Sequence, residues 1–463
     1  MTVQAADAAA IAPSGISRSQ WKVIVLSSLG GALEFYDFVV YSMFANYIGR
    51  AFFPASSPVT SQLLSWTVFA VGYLARPLGG IIFSHFGDRY GRRKVFITAM
   101  LMMSLSTVSI GLLPGYETLG ISASILMVCL RLLQGFCLGG ELPGAITYVV
   151  ETAPRTAGFA TGFIFFCVNS GVFVASALSL VIHLIFSESQ IAGEIGGWWG
   201  LWGGGWWRAG FLFGGFLGFI SFYLRLSLQE TKEFQNLKHS AISKRPLADL
   251  LKTQPASVFV AVSTMIATAA FNGLLFAAPS LLPGIIGGYT ATEASKAQNI
   301  CLLLLSFGLI SVAWLGDKVP RRYLLMLGSG VLTLFSVPYF QALADHTTSL
   351  LTLALLAGLT ASFVNGPMCA TAADLFPTRI RFSGVAVSFN LAFSIFSGIA
   401  PLMATALVAA SGNKAAPGYY MSACALLTFV GTFVLQRFDG RILREQRERE
   451  QALASAPSSF PAQ

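Results

Sequence analysis

Two carboxylates stand in the middle of an oily stretch, Ser28 to Phe44, "SLGGALEFYDFVVYSMF": Glu34 and Asp37, three residues apart and with no basic residue beside them. On a helix, positions i and i+3 share a face. Like charges held that close in an apolar medium cannot both stay ionised cheaply, so one of the pair is suited to take up and release a proton. The alternative is a structural role, with an arginine of a neighbouring helix as partner. Arg131 lies in another apolar run and is expected to reach Asp37 across a bundle. Glu141 follows ten residues later, roughly 15 Å along the helix and too far from Arg131 for a direct bond. The Gly-Gly before it lets a second helix approach, so Glu141 serves either packing or proton coupling. Arg76, in "YLARPLGG", offers a carboxylate two parallel hydrogen bonds and is the expected contact for an anionic ligand. The second half of the chain supplies amides instead, Asn272, Asn365 and Asn390. Tyr41, with Phe35, Tyr36, Phe271 and Phe276, has the character of a cavity lining, although aromatic residues in such runs are mostly packing.

These residues need apolar helices to hold them. Of the 463 residues 55% are hydrophobic and 11% charged, with mean hydropathy +0.69, whereas soluble domains carry about 25% charged residues. Twelve runs are long enough to cross a bilayer, which needs roughly 20 apolar residues per helix. They cover 22–49, 59–84, 95–113, 122–150, 157–186, 207–227, 255–282, 292–315, 322–341, 349–373, 381–409 and 417–436. The chain is expected to be all-α, a polytopic membrane protein of twelve transmembrane helices. The first run is too long for a cleaved leader, so no signal peptide is expected. With the N-terminus inside, 23 of the 29 Lys and Arg fall on the cytoplasmic side, and only Arg50, Arg208, Lys296 and Lys414 lie at outer ends. This asymmetry puts both termini in the cytoplasm of a cell whose plasma (inner) membrane holds the protein. It also accounts for the net charge of +9, so no nucleic-acid partner is inferred. The six cysteines all fall in spans, where they act as small apolar residues and are expected to form no disulfides.

The chain repeats itself. "GDRYGRR" at 87–93 aligns with "GDKVPRR" at 316–322, and "ETAP" at 151–154 with "DLFP" at 374–377. Equivalent positions recur in one orientation, which predicts two parallel six-helix halves with a site between them. The expected divisions are 1–228, a cytoplasmic linker 229–254, a second half 255–440 and a tail 441–463. Asp88 sits where a carboxylate can accept from the N-terminal amides of a helix, and Arg92 can pair with Glu151. With Asp317 and Asp374 in the second half, these residues are expected to latch the halves together on the inner side.

"GDRYGRRK" and "RLLQGFCLGGE" resemble the loop and fourth-helix signatures of the major facilitator superfamily. Together with "LEFYDFVVY", "ARPLGGIIFSHF", "LRLSLQETKEF" and "DLFPTRIRFSGVAVSFNLAFSIFSGIAPL", they resemble its metabolite:proton symporter branch. That branch carries citrate, tricarballylate, α-ketoglutarate, shikimate and proline/betaine. The resemblance implies proton-driven uptake, favours protons over Na⁺, and adds Asn390 to the expected ligand contacts, with Asn272 as a weaker one. A departure is "WWRAGF" for the usual "WxWRxPF", after the Trp/Gly-rich stretch 193–207. The expected function is a symporter for a small organic acid, a di- or tricarboxylate such as citrate or α-ketoglutarate. The alternatives are a zwitterionic osmolyte such as proline/betaine, or an aromatic acid. A membrane enzyme is a remote alternative, since no metal spacing, GxSxG or phosphate loop is present. No cofactor is implied, and a functional monomer is expected.

The charge asymmetry predicts that residue 240 is cytoplasmic and residue 200 is not. An impermeant maleimide applied to intact cells should label a cysteine placed at 200 and spare one placed at 240; the reverse pattern would invert the topology.

Overall fold

The computed structural model describes residues 18–55, 57–90, 92–193, 205–226, 250, 252–377 and 380–435. Most of the linker expected at 229–254, all of the tail at 441–463 and most of the Trp/Gly-rich stretch lie outside the described residues, as does the labelling position 240. Regular structure among the described residues is entirely helical. The first half runs through α1 (Arg18–Met43, continued by Ala45–Phe52), α2 (Pro58–Leu74 and Arg76–Tyr90), α3 (Arg92–Leu112), α4 (Ile121–Leu138 and Glu141–Thr152), α5 (Ala157–Ile185) and α6 (Arg208–Leu226). The second runs through α7 (Pro255–Leu281 with a π turn Leu282–Ile286), α8 (Ala291–Leu315), α9 (Arg321–Ala344), α10 (Leu350–Asn365 and Met368–Asp374), α11 (Arg381–Ala392, a π turn Phe393–Ser397, then Ala400–Ser411) and α12 (Pro417–Leu435). Nine of the helices among the described residues are by themselves long and apolar enough to span a bilayer. In α3 and α6 the apolar stretch is shorter, and α1 carries the two carboxylates of the opening motif.

Large apolar side chains point outward all round the bundle, among them Ile121, Leu184, Phe216, Phe259, Phe307 and Leu334. A belt of that size on a soluble protein would aggregate; here it is the surface offered to lipid. Lipid tails are as apolar as leucine, so the helices gain little hydrophobic drive from meeting one another and instead rely on close packing at small residues. A Cβ on Gly135 would lie 1.6 Å from the Gly72 carbonyl, and one on Gly79 1.8 Å from that of Phe136, so α2 and α4 touch backbone to backbone. The same device recurs in the second half, where Gly358 and Gly366 of α10 abut the Cys301 and Leu309 carbonyls of α8. Gly171 packs on Ala32 between α5 and α1, and Gly273 packs on Ser397 between α7 and α11. The repeat seen in the loop motifs is therefore also a repeat of helix contacts.

Twelve crossings put the start of α1 and the end of α12 at one face, called here the starting face. Substituting Gly135 with alanine pushes α2 and α4 apart and should destabilise the fold by about 1–3 kcal/mol, the usual cost of overpacking. Gly330→Ala meets only the Phe429 ring at 3.3 Å and should be tolerated. Thermal unfolding of the purified protein in detergent distinguishes the two.

Candidate functional site

The residues singled out in the sequence converge at mid-depth. Asp37 is 2% exposed, and Arg76 and Arg131 are fully buried. Arg131 of α4 is seated on aromatic faces, its Cζ 4.4 Å from the Phe38 ring centre, 4.3 Å from Tyr41 and 5.4 Å from Phe69. Its Nη1 donates to Gln134 Oε1 at 2.8 Å and more weakly to the Phe38 carbonyl at 3.4 Å. Its Nε and Nη2 donate to no protein atom. The cation–π contacts offset part of the cost of burying the charge, and these two nitrogens remain able to take a ligand. The Tyr41 hydroxyl is held by the Ser65 carbonyl and hydroxyl at 3.1 and 3.2 Å, which fixes the ring under the guanidinium.

Arg131 does not meet Asp37 directly, as the sequence reading expected. Gln134 Nε2 donates to Thr107 Oγ1 at 2.7 Å, and the Thr107 hydroxyl, beside the Asp37 carboxylate, donates to the Met103 carbonyl of its own helix at 3.0 Å. The guanidinium and the acid are thus joined through one amide and one hydroxyl, on α4 and α3. The seat of Arg131 on the Phe38 and Tyr41 rings of α1 and its bond to Gln134, one turn away on the same helix, hold it off the Asp37 carboxylate. Asp37 Oδ1 has no hydrogen-bond partner. It lies against α6, where a Cβ on Gly214 would come within 2.5 Å of it and one on Gly218 within 3.4 Å of Oδ2. The glycines leave the carboxylate a niche with Ser104 of α3 at its edge.

Arg76 of α2 lies 5.2 Å from the Tyr73 ring centre, 5.8 Å from Phe35 and 5.7 Å from Phe389. Phe389 belongs to α11, so this arginine sits on the boundary between the halves. Tyr73 packs on Phe38 at 4.7 Å and Phe69 at 5.2 Å, the rings under Arg131, so the two arginines border one aromatic cluster. The amides have partners of their own. Asn272 Nδ2 donates to Asn365 Oδ1 at 3.2 Å, and Asn390 Nδ2 donates to the Gly139 carbonyl at 2.7 Å, bridging α11 to α4. The Oδ1 atoms of Asn272 and Asn390 are buried without a partner. The side chains of Glu34, Glu141, Asp88 and Arg92 lie outside the described residues. A cavity of about 510 Å³ lies elsewhere, between α7, α8, α9 and α10, lined by Phe271, Tyr339, Gln298 and many leucines. It holds no charged residue.

At the starting face the halves are latched ionically. Asp317, after α8, accepts from the Gly158 and Phe159 amides at 2.7 and 2.8 Å, capping the start of α5 in the other half. Arg321 bridges Asp317 at 3.1 Å and Asp374 at 2.5 Å. Arg381 of α11 pairs with Glu151 of α4 at 3.2 Å. Gln134 and Thr107 carry no signal in the sequence, since neutral side chains in an apolar helix point to no partner. The "WWR" stretch folds inward: Trp207 is fully buried, and Arg208 Nη1 donates to the Gly111 and Leu113 carbonyls at the end of α3 at 3.1 and 2.6 Å. It braces the first half at the face opposite the start.

A sequence profile of the Major Facilitator Superfamily matches residues 27–401 and 288–460. A putative proline/betaine transporter of Staphylococcus aureus (strain COL) is 32% identical, over 91% of this chain and 90% of its own. The citrate-proton symporter of Klebsiella pneumoniae is 31% identical, over 90% and 92%, and the proline/betaine transporter of Escherichia coli K12 is 30% identical, over 91% and 85%. Among solved structures, a proton:xylose symporter bound to 6-bromo-6-deoxy-D-glucose superposes with a TM-score of 0.70 at 18% identity, covering 92% of this chain and 96% of its own.

The Asp317 cap is a charge-assisted pair of bonds, each worth about 1.5–3 kcal/mol. Asp317→Ala should therefore speed amide hydrogen exchange at Gly158 and Phe159 by at least tenfold while leaving the Ala45–Phe52 segment unchanged. Exchange read by mass spectrometry on the purified protein checks it.

Proposed function

The chain belongs to the major facilitator superfamily, and from that premise we propose that it is a proton-coupled symporter that carries a small organic acid by alternating access. The observation that carries this reading is the buried guanidinium of Arg131, with two nitrogens, Nε and Nη2, that donate to no protein atom. A carboxylate satisfies both at once in a low-dielectric setting, where the bond is strongest. Arg76 adds a second positive charge on the boundary between the halves. Two buried arginines facing a half whose mid-span polar groups are amides favour an anion of more than one carboxylate, such as citrate or α-ketoglutarate. Asn272 and Asn390 offer unpaired amide oxygens to a protonated carboxyl or hydroxyl of that substrate.

Asp37 is the proton carrier, aided by Glu34 one turn earlier on α1. With Asp37 ionised, Thr107 and Gln134 orient towards it and pull on Arg131. With Asp37 protonated the pull weakens, and Arg131 is free to hold substrate. Only a differential interaction of this kind with two states can drive the shift between them. The starting face is cytoplasmic, both termini included, so Asp317, Asp374, Glu151 and Arg381 form the inner gate, joined by Asp88 and Arg92 of the first repeat. Glu141, beside the α2–α4 contact, is the next acid in line for coupling.

A zwitterionic substrate is the second reading. It is favoured by the names of the proline/betaine relatives and by the ring cluster of Phe38, Tyr41 and Phe69, a surface that also suits a quaternary ammonium group.

Reconstituted in liposomes, the protein should concentrate a di- or tricarboxylate when the outside is made acidic. Asp37→Asn should abolish this accumulation and keep substrate exchange at fixed pH, because exchange moves no net proton. Arg76→Gln should lose both while still inserting. Competition by betaine and by no carboxylate would overturn the acid assignment, and full pH-driven accumulation by both Asp37→Asn and Glu34→Gln would overturn the coupling assignment.

A further inference from the structure

The face opposite the start is closed as well, by a different device. Helix α1 breaks at Phe44, between Arg18–Met43 and Ala45–Phe52. A helix end leaves its last carbonyls without intrahelical partners, and inside a membrane such groups must be satisfied by protein. Ser280 Oγ of α7, from the other half, lies 2.9 Å from the Ser42 carbonyl and 3.1 Å from that of Met43. The return contacts run the other way. Ser42 Oγ donates to the Phe276 carbonyl at 2.8 Å, and Asn46 Nδ2 donates to the Ser280 carbonyl at 3.0 Å. Gln62 of α2 donates to Asn46 Oδ1 at 2.6 Å and reaches the Ser280 carbonyl at 3.4 Å.

The end of α7 is irregular as well. Pro279 lies inside the helix and cannot donate to Leu275, whose carbonyl takes Gln298 Nε2 at 2.6 Å instead. After Leu281 the ladder widens into a π turn that ends with Gly287 donating to Leu282 at 2.8 Å. Gly284 in that turn leaves room for Gln62, whose Nε2 would lie 2.7 Å from a Cβ there. Ser42 is fully buried and Ser280 is 2% exposed, so water does not compete for these bonds in the closed state.

We propose that Ser280, with Asn46 and Gln62, is the gate at this face: an uncharged latch in which α1 and α7, one from each half, bond to each other's carbonyls, those of α1 being exposed by its break. Ser280 is a positioning residue, acting through the backbone of α1 and not on substrate. Opening this mouth strips the exchanged bonds from both helices at once and requires water to replace them, so opening and hydration are one event. The inner latch differs in kind, being built from Asp317, Arg321, Asp374, Arg381 and Glu151. The assignment of a gate rests on the transport reading; the closure itself rests only on the contacts.

Hydrogen exchange on the full-length protein in nanodiscs, without substrate, tests it. Ser280→Ala should speed exchange in residues 44–53 and 280–290 by roughly five- to tenfold, the loss of about one net hydrogen bond, and leave residues 155–162 and 313–321 at wild-type rates. Ser280→Thr, which keeps the hydroxyl, should restore slow exchange. If Ser280→Ala yields no folded protein, Asn46→Ala and Gln62→Ala should each give the same one-sided increase. An equal rise at both faces would mean general destabilisation, and no rise at either would mean that the bonds hold nothing closed; each result overturns the proposal. Failure of the transport reading is seen separately, as absence of accumulation in liposomes with the one-sided exchange intact.

Discussion

A bilayer supplies no hydrogen bonds, so every carbonyl freed by a helix break and every buried charge has to find its partner inside the protein. Much of this structure follows from that one constraint. Arg131 could not rest in the apolar middle of α4 without the faces of Phe38, Tyr41 and Phe69 and the oxygen of Gln134. Arg208 is held at the end of α3 by carbonyls that the helix terminus would otherwise leave bare. Not every buried group meets it: Arg131 Nε and Nη2, Asp37 Oδ1 and the amide oxygens of Asn272 and Asn390 have no partner, and neither do Trp207 Nε1 and Arg208 Nε towards one end of the bundle. Unsatisfied buried groups are costly.

The same constraint gives the two ends of the bundle their different characters. At the starting face, loops reach the aqueous boundary, where charges are cheap to keep, and the halves are joined by carboxylates, guanidinium groups and helix N-termini. At the other closure the contacts lie deeper among apolar helices, and only neutral donors are used. Glycine does the spacing throughout, since only a helix without side chains along one stripe lets another backbone approach to bonding distance.

Much of the architecture was legible in the sequence, because spans, charge asymmetry and the duplicated loop are one-dimensional signals. Asp317 was placed by its position in the repeat, and its bonds to the amides of α5 are those such a carboxylate makes at a helix start. The pairing of Glu151 with Arg381 from the opposite half was not legible, and the side chain of Arg92, the partner the sequence offered, lies outside the described residues. What could not be read were contacts among neutral residues far apart in the chain. Thr107 and Gln134 are 27 residues apart, and Ser42 and Ser280 238, and neither pair differs in type from the many hydroxyls that merely bond back to their own helix.

The indirect link between Asp37 and Arg131 bears on how a proton and an anion can be made to travel together. A direct ion pair would be strong in both senses: removing either charge would leave the other uncompensated, and the arginine would have little to spare for a ligand. Interposing a neutral amide and a hydroxyl changes the balance. Gln134 holds one edge of the guanidinium and leaves the other free, and the Thr107 hydroxyl stands between the amide and the acid. In the proposed coupling the link is weaker than an ion pair would give, but population shifts need differential interaction and not absolute strength. Gly214 and Gly218 complete this arrangement by keeping α6 close to the acid without a side chain in contact, so that Asp37 can be neutral or charged without repacking the helix beside it.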